Sequence, residues 1–380
     1  MGVIIEKEIW GLVMEDLLIK DAKLVSGKIC NIIINNKKIT NISTEKEDKS
    51  FKKVIDLKGK YFVSPGWIDV HCHCFNKFEL YSDDPDIIGY KTGVTTVVDA
   101  GTSGAENIDE FYEKAMVAKT NVYAFINLSK IGIKVQSELA DTKNLDDDLL
   151  KIAVQKYNEF IVGIKVRMSK SVVGQNGILP LVKAKGISKE LEMPVMVHIG
   201  SEPPVLKEVL DSLEKGDILS HIFNGKENGI LDLNKEIKEE TLSAKDRGVI
   251  FDIAHGKDSF NFEVAKTAMT NEIKADTIST DIYKRSRVEG PVFNLFTTME
   301  KFLAIGYTLQ EVIDMVTINP AKAIGIDSKG RLQVGCDADI TIFDLKDEEK
   351  KLVDSNNNII IGKKTINPKA VVLNGEYIEL

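Results

Sequence analysis

WIDVHCH, residues 67–73, is an apolar, β-branched run that ends in two histidines, and seven further runs of similar character follow it. In order they are VTTVVDA (94–100), NVYAFINL (121–128), IVGIKVR (161–167), MPVMVHI (193–199), DILSHIF (217–223), GVIFDIAH (248–255) and DTISTDIY (276–283). Short runs rich in Val, Ile and aromatic residues, bounded by polar loops, read as buried strands. Between them lie IDEFYEKAMVAK, DDLLKIAVQKYNE, GILPLVKAKGISKELE and FEVAKTAMTNE, whose apolar residues recur at helical spacing. A strand, a crossover helix and another strand make a parallel pair, so eight such units predict a TIM barrel, (β/α)8, over residues 65–330.

The chain ends read differently. DLLIKDAKLV, KICNIIINNKKITNIS and KVIDLKGKYFVSPG precede the barrel; ADITIFDL, NNIIIGKKT and KAVVLNGEYIEL follow it. All are short and alternating, with charged or Gly-containing turns between them. Residues 1–64 and 331–380 are therefore expected to pair into one small β-sandwich-like domain, with the barrel inserted between its halves. The strand pattern begins just after Met14, so residues 1–13 read as an extension whose place in the folded unit the sequence leaves open.

Composition removes several classes of function. The formal charge is −8, with acids and bases interspersed, so no basic stripe is available for a phosphate backbone and nucleic acid is not expected as a partner. No run approaches the roughly 18 apolar residues of a membrane span, and the N-terminus lacks the pattern of a secretion signal, so a cytoplasmic enzyme without membrane contact is expected. Gly2 carries no lipidation signal, because position 6 is Glu rather than Ser or Thr. The four cysteines, Cys30, Cys72, Cys74 and Cys336, are too few for a disulfide framework and read as reduced thiols. An open doubly wound nucleotide-binding sheet would look similar in its strands. The chain has neither the G-x-G-x-x-G nor the G-x-x-x-x-G-K-[ST] loop that such a fold uses, and it lacks H-E-x-x-H and G-x-S-x-G.

Of only five histidines, four end predicted strands. His71 and His73 share one face of the first by the two-residue period and can hold one metal between them. His198 closes the fifth, His221 the sixth and Asp281 the eighth. Active sites of this fold lie at the carboxyl ends of the strands, so these side chains converge on one mouth, and imidazole with carboxylate is the donor set of zinc and related divalent metals. Lys165 ends the fourth strand among them. Burial and nearby cations disfavour its charged form, and the neutral amine can add carbon dioxide to give an anionic carbamate able to bridge two metals. A buried ion pair is the plainer reading of the same lysine.

Taken together, PGWIDVHCH, GIKVR, PVMVHIG, GDILSHIFNG, FDIAHG and STD resemble the amidohydrolase superfamily, and the resemblance extends through NPAKAIGI and the G-x-x-A-D-I-x-I-F-D run at Gly335–Asp344. The order H-x-H, Lys, His, His, Asp is that of its binuclear subtype. It implies that His71 and His73 bind one of two divalent metals and that His198 and His221 bind the other. It further implies carbamylated Lys165 as the bridge, Asp281 on the first metal, and a homo-oligomer acting on a small-molecule substrate. Zinc is the expected metal. Through GIKVRMSKSVVG, FDIAHGKDSFNF and STDIYKRSRVEGP the chain is similar to the bacterial deacetylase group often labelled dihydroorotase-like. Dihydroorotases generally read H-x-H-x-R, whereas here the last position is Phe75.

The mechanism this implies uses a metal-bridging hydroxide as nucleophile on an amide or ester, with Asp281 relaying its proton to the leaving atom. Deacylation of a small carboxylate-bearing N-acyl or O-acyl substrate is the leading expectation. Cyclic-amide opening of the dihydroorotase or dihydropyrimidinase kind, dipeptide cleavage, and a non-catalytic scaffold are the alternatives. Arg167, Tyr283 and Arg285 lie just beyond Lys165 and Asp281, where they are candidates to hold the substrate carboxylate. His255, after the seventh strand, either contacts substrate from the rim or serves the fold.

Overall fold

The computed structural model describes residues 14–45 and 49–380, so residues 1–13 lie outside what can be compared with the sequence reading. Seven parallel strands follow one another in chain order around a curled sheet: Trp67–Cys72, Val94–Ala100, Asn121–Asn127, Ile161–Met168, Val195–Ile199, Ile218–Ser220 and Ile250–Asp252. Each coincides with one of the sequence runs. The expected crossover helices form at Ile108–Val117, Asp147–Lys156, Leu179–Leu191 and Phe262–Thr270.

The eighth run closes the barrel without a regular ladder. Residues 277–282 make isolated parallel bridges on both sides, Asp252 to Thr277 and Cys72 to Ile282. Backbone bonds from His255 to Ser279, from Gly256 to Thr280, from Asp281 to the His71 carbonyl and from His73 to the Ile282 carbonyl complete the seam. Asp281 is left-handed, at φ 50°, which interrupts any regular strand there and turns its carboxylate toward the mouth. The fold is a TIM-barrel-like α/β structure with a β-rich terminal unit.

That unit joins eight strands from both chain ends in one hydrogen-bonded network, which branches where Glu15–Leu24 pairs with three neighbours. Its core contains Leu17, Ile19, Ile32, Ile34, Val63, Ile340, Ile342 and Val372, all buried. The late β segments fuse into a long hairpin, Ile340–Val353 with Ile359–Leu373, paired from Ile340–Val372 to Val353–Ile359. Its tip reaches the loop that follows the seventh barrel strand, where Ser355 donates its backbone N–H to the Phe260 carbonyl.

Candidate metal centre

At the carboxyl end of the barrel, three imidazoles are held in the same manner. His71 Nδ1 lies 3.1 Å from Ser220 Oγ and 3.3 Å from Asp252 Oδ2. His73 Nδ1 is 2.8 Å from Thr102 Oγ1, and His221 Nδ1 donates to the Ala254 carbonyl at 2.7 Å. With Nδ1 engaged by a fixed partner, Nε2 of each ring is left to face the centre, the arrangement that sets tautomer and ring orientation in metal-ligating histidines. His221 Nε2 is buried and has no hydrogen-bond partner. A buried polar atom with no partner is costly, and a metal satisfies it.

Asp281 Oδ1 stands 3.0 Å from His73 Nε2 and 3.5 Å from His71 Nε2. One ligand atom from each of these three residues fits within 4.8 Å, so they form a group able to hold a metal ion. His221 packs on His71 with ring centroids 5.3 Å apart, and His198 packs on His221 at 4.3 Å. His221 itself is left-handed, at φ 66°, so the chain turns sharply at the end of the sixth strand to aim the ring inward.

Lys165 Nζ lies 3.1 Å from His71 Nε2, wholly buried. Burial drives its pKa down to about 7, against the pull of Asp281 and Asp252, so a large fraction is neutral amine near neutrality. Burial likewise takes His71 down to about 4, helped by Lys165 and opposed by Asp252. His221 falls to about 3, also chiefly through burial. For Asp281, burial works against the charge, but His73, His71 and His221 outweigh it and hold the carboxyl below its ordinary range. Neutral imidazoles beside an ionised carboxylate are the protonation states that metals require.

Three carboxylates that the sequence reading passed over hold this arrangement. Asp252 accepts from Thr277 Oγ1 at 2.7 Å and Ser279 Oγ at 2.6 Å while facing His71. Asp69 takes the Thr280 backbone N–H at 3.0 Å, one residue before Asp281. Asp99 accepts the N–H groups of Cys74 and Thr102, fixing the turn after His73. Each closes an apolar run or sits within one, so a carboxylate in an otherwise apolar strand was the available signal.

The proposed substrate contacts separate. Arg167 is buried and gripped by buried Glu138, its Nε 2.6 Å from Oε1, while its guanidinium lies 5.6 Å from the centre of the Tyr81 ring. Tyr81 packs on His73 and on Tyr283, at 5.3 and 5.0 Å between centroids, roofing the first histidine pair. Tyr283 and Arg285 border a cavity of about 1040 Å³ with Tyr81 and Asp258, but Arg285 points outward in an ion pair with Glu289. His255 is fully buried with both ring nitrogens occupied, by the Gly256 carbonyl at 2.8 Å and by Lys301 Nζ at 2.7 Å. As placed, neither Arg285 nor His255 offers the metal centre a free group. The four cysteines are free and buried, and no described helix is long and apolar enough to cross a membrane.

The amidohydrolase family model matches residues 62–378, which includes the whole barrel and the return to the terminal sheet. The chain belongs to the amidohydrolase family. This amidohydrolase is 52% identical over 366 residues to a deacetylase of Enterococcus faecalis, covering 96% of this chain and 99% of that one. A crystal structure titled as an adenine deaminase superposes with a TM-score of 0.95 at 50% identity, covering 96% of this chain and all of the other. One titled as a dihydroorotase gives 0.86 at 34% identity, covering 96% and 97%. Family and relatives make the chain a hydrolase of C–N bonds. The relatives' names differ in substrate, so the substrate has to be argued from the site.

Proposed function

We propose that this amidohydrolase is a cytoplasmic metal-dependent deacylase that cleaves an amide or ester of a small carboxylate-bearing molecule. The observation that carries the metal dependence is the set of rings tethered at Nδ1 with Nε2 turned inward, one of them buried without a partner. His71, His73 and Asp281 would hold one divalent metal, and His198 and His221 the second, with Lys165 as the bridging carbamate. Zinc is the expected metal. When bound, the metals supply a nucleophile by lowering the pKa of water and polarise the scissile carbonyl.

The chain's own groups do the rest. Asp281, held ionised, accepts the proton of the attacking water and delivers it to the leaving nitrogen or oxygen. Tyr81 and Tyr283 shield the centre from solvent on the side of the cavity, where a small acyl substrate has room. Phe75 stands fully buried where dihydroorotases generally carry arginine, and it packs on Phe111 at 4.8 Å, which disfavours dihydroorotate.

The test is elemental analysis of wild type and Lys165→Ala, followed by turnover of N-acetylalanine, O-acetyl-lactate, dihydroorotate and adenine. Two metals per chain, lost in the variant, with turnover of an acetylated acid, is the expected result. One metal unaffected by the variant rejects the bridge. Turnover of adenine or dihydroorotate alone rejects deacylation.

A further inference from the structure

A carboxylate-bearing substrate needs a cation at the mouth, and most cations there are already engaged. Arg167 is held by Glu138, Arg287 by Asp83, Lys77 by Glu110, and both Arg285 and Lys257 by Glu289. Lys284 also lines the cavity beside Tyr283, where it is exposed to solvent, and Lys226 differs from all of these. It is half-buried, five residues past His221, and no hydrogen bond or ion pair among the described residues engages its ammonium.

Its position is fixed from the metal end. Asn224 folds back on His221, giving both its backbone N–H and its side-chain Nδ2 to the His221 carbonyl at 3.1 and 2.8 Å. The same Asn224 side chain then accepts the Lys226 backbone N–H at 3.0 Å. One buried asparagine thus ties Lys226 to the residue that ends the sixth strand. Lys226 lines a cavity with Asn224, Lys238 and Asn261, and burial lowers its pKa against the pull of Asp258 and Asp281. The Asn224 tether places the residue beside His221, a member of the second histidine pair. A half-buried ammonium with no counter-ion in contact is an electrostatic vacancy that an anionic ligand group fills.

We infer that Lys226 takes the carboxylate of the substrate, an assignment that rests on the carboxylate-bearing acyl substrate proposed above. Arg167, with Nε and Nη2 committed to Glu138 and to the Gln136 carbonyl, serves the wall behind Tyr81 instead. Lys226 sets which acyl compounds are selected, and the hydrolytic step stays with the metal centre and Asp281.

The experiment compares binding of lactate and of its uncharged analogue lactamide to the zinc-loaded protein by calorimetry, in wild type, Lys226→Met and Lys226→Arg. Turnover of O-acetyl-lactate and of its carboxamide is measured alongside. Wild type is expected to prefer lactate by at least tenfold. Lys226→Met should bring that ratio, and the matching ratio of kcat/KM, close to one, while Lys226→Arg keeps most of it. No preference in wild type, or a preference intact in Lys226→Met, overturns the assignment, the latter by showing that the metals alone hold the carboxylate. If lactate binding depends on Lys226 yet neither ester is hydrolysed, the deacylase reading falls and the anion site stands. Lys226→Gln replaces the Met variant if circular dichroism shows that the latter misfolds.

Discussion

A Cβ placed on Gly101 would lie 2.6 Å from Cβ and 2.7 Å from Cγ of Lys165, so the buried lysine has room only because residue 101 has no side chain. Gly101 directly follows the strand Val94–Ala100 and lies in the left-handed region, at φ 78°, which favours glycine independently. Gly101→Ala is therefore expected to displace the Lys165 stem from a fully packed wall. A misplacement of about 1 Å costs on the order of 100-fold in rate where geometry is tight. The variant should bind less than the wild-type metal complement and lose activity on that scale while remaining folded. Wild-type metal content and turnover in Gly101→Ala would show that the lysine's position is not critical.

Arg167 and Glu138 form a buried pair, and the neutral variants tell a structural role from a substrate-binding one. Removing one partner of such a pair leaves an unpaired buried charge and typically costs about 3–5 kcal/mol. Arg167→Met should lose stability on that order in urea unfolding. Arg167→Met/Glu138→Gln should recover much of the loss, because the orphaned carboxylate is gone. A double variant no more stable than Arg167→Met would show that the guanidinium, rather than the charge balance, supports this wall.

The histidines give the metal-free protein a predictable acid sensitivity. Burial lowers His71 from 6.5 to about 4 and His221 from 6.5 to about 3. Between pH 6.5 and about 4 the unfolded chain therefore binds more protons than the native one, and stability falls as pH falls through that window. Unfolding of the metal-stripped protein at pH 7, 6 and 5 should show this decline, with a smaller slope in His221→Asn. Bound metal should raise stability across the range and carry the decline to pH values below about 4, because it keeps the native rings unprotonated while the unfolded chain still takes up protons. A flat profile without metal would mean that these rings are not buried as neutral groups.

Strand order and the placement of His71, His198, His221 and Asp281 at or just past strand ends were legible because both follow from local pattern, whereas Lys165, expected to end the fourth strand, lies inside Ile161–Met168. Apolar runs give the strands, and a polar residue closing such a run is visible without any knowledge of the fold. The partners of those residues were not legible. Glu138 lies 29 residues before Arg167, and Lys301 lies 46 after His255, in a helix whose sequence reads as an ordinary amphipathic segment. Nothing local marks either pairing. The eighth run read as a strand, but its pairing is broken by a left-handed Asp281 that hydrogen bonds from neighbouring strands stabilise, a tertiary effect with no local signal. Lys226 was hidden for a related reason: its importance lies in the absence of a partner, which only the folded structure reveals.

The long hairpin of the terminal sheet supplies the last prediction. At its tip, Asp354 is buried and accepts four hydrogen bonds, from the backbone of Asn356 and Asn358, from Asn358 Nδ2, and from the backbone N–H of Phe262 at 2.9 Å. Ser355 Oγ donates to the Gly256 carbonyl at 3.1 Å. Gly256 in turn lies against Asp281, whose Oδ2 would be 2.6 Å from a Cβ at that position. The tip thus braces the loop that limits where the proton-relaying carboxylate can move. Asp354→Ala strands the buried Phe262 donor and should cost about 1–3 kcal/mol in unfolding free energy. His71, His73, Lys165, His198 and His221 are carried by other elements, so metal content should stay near wild type while kcat falls more than KM rises. Metal loss in step with activity would place the tip's role in assembling the centre, and wild-type kcat would remove the hairpin from catalysis altogether.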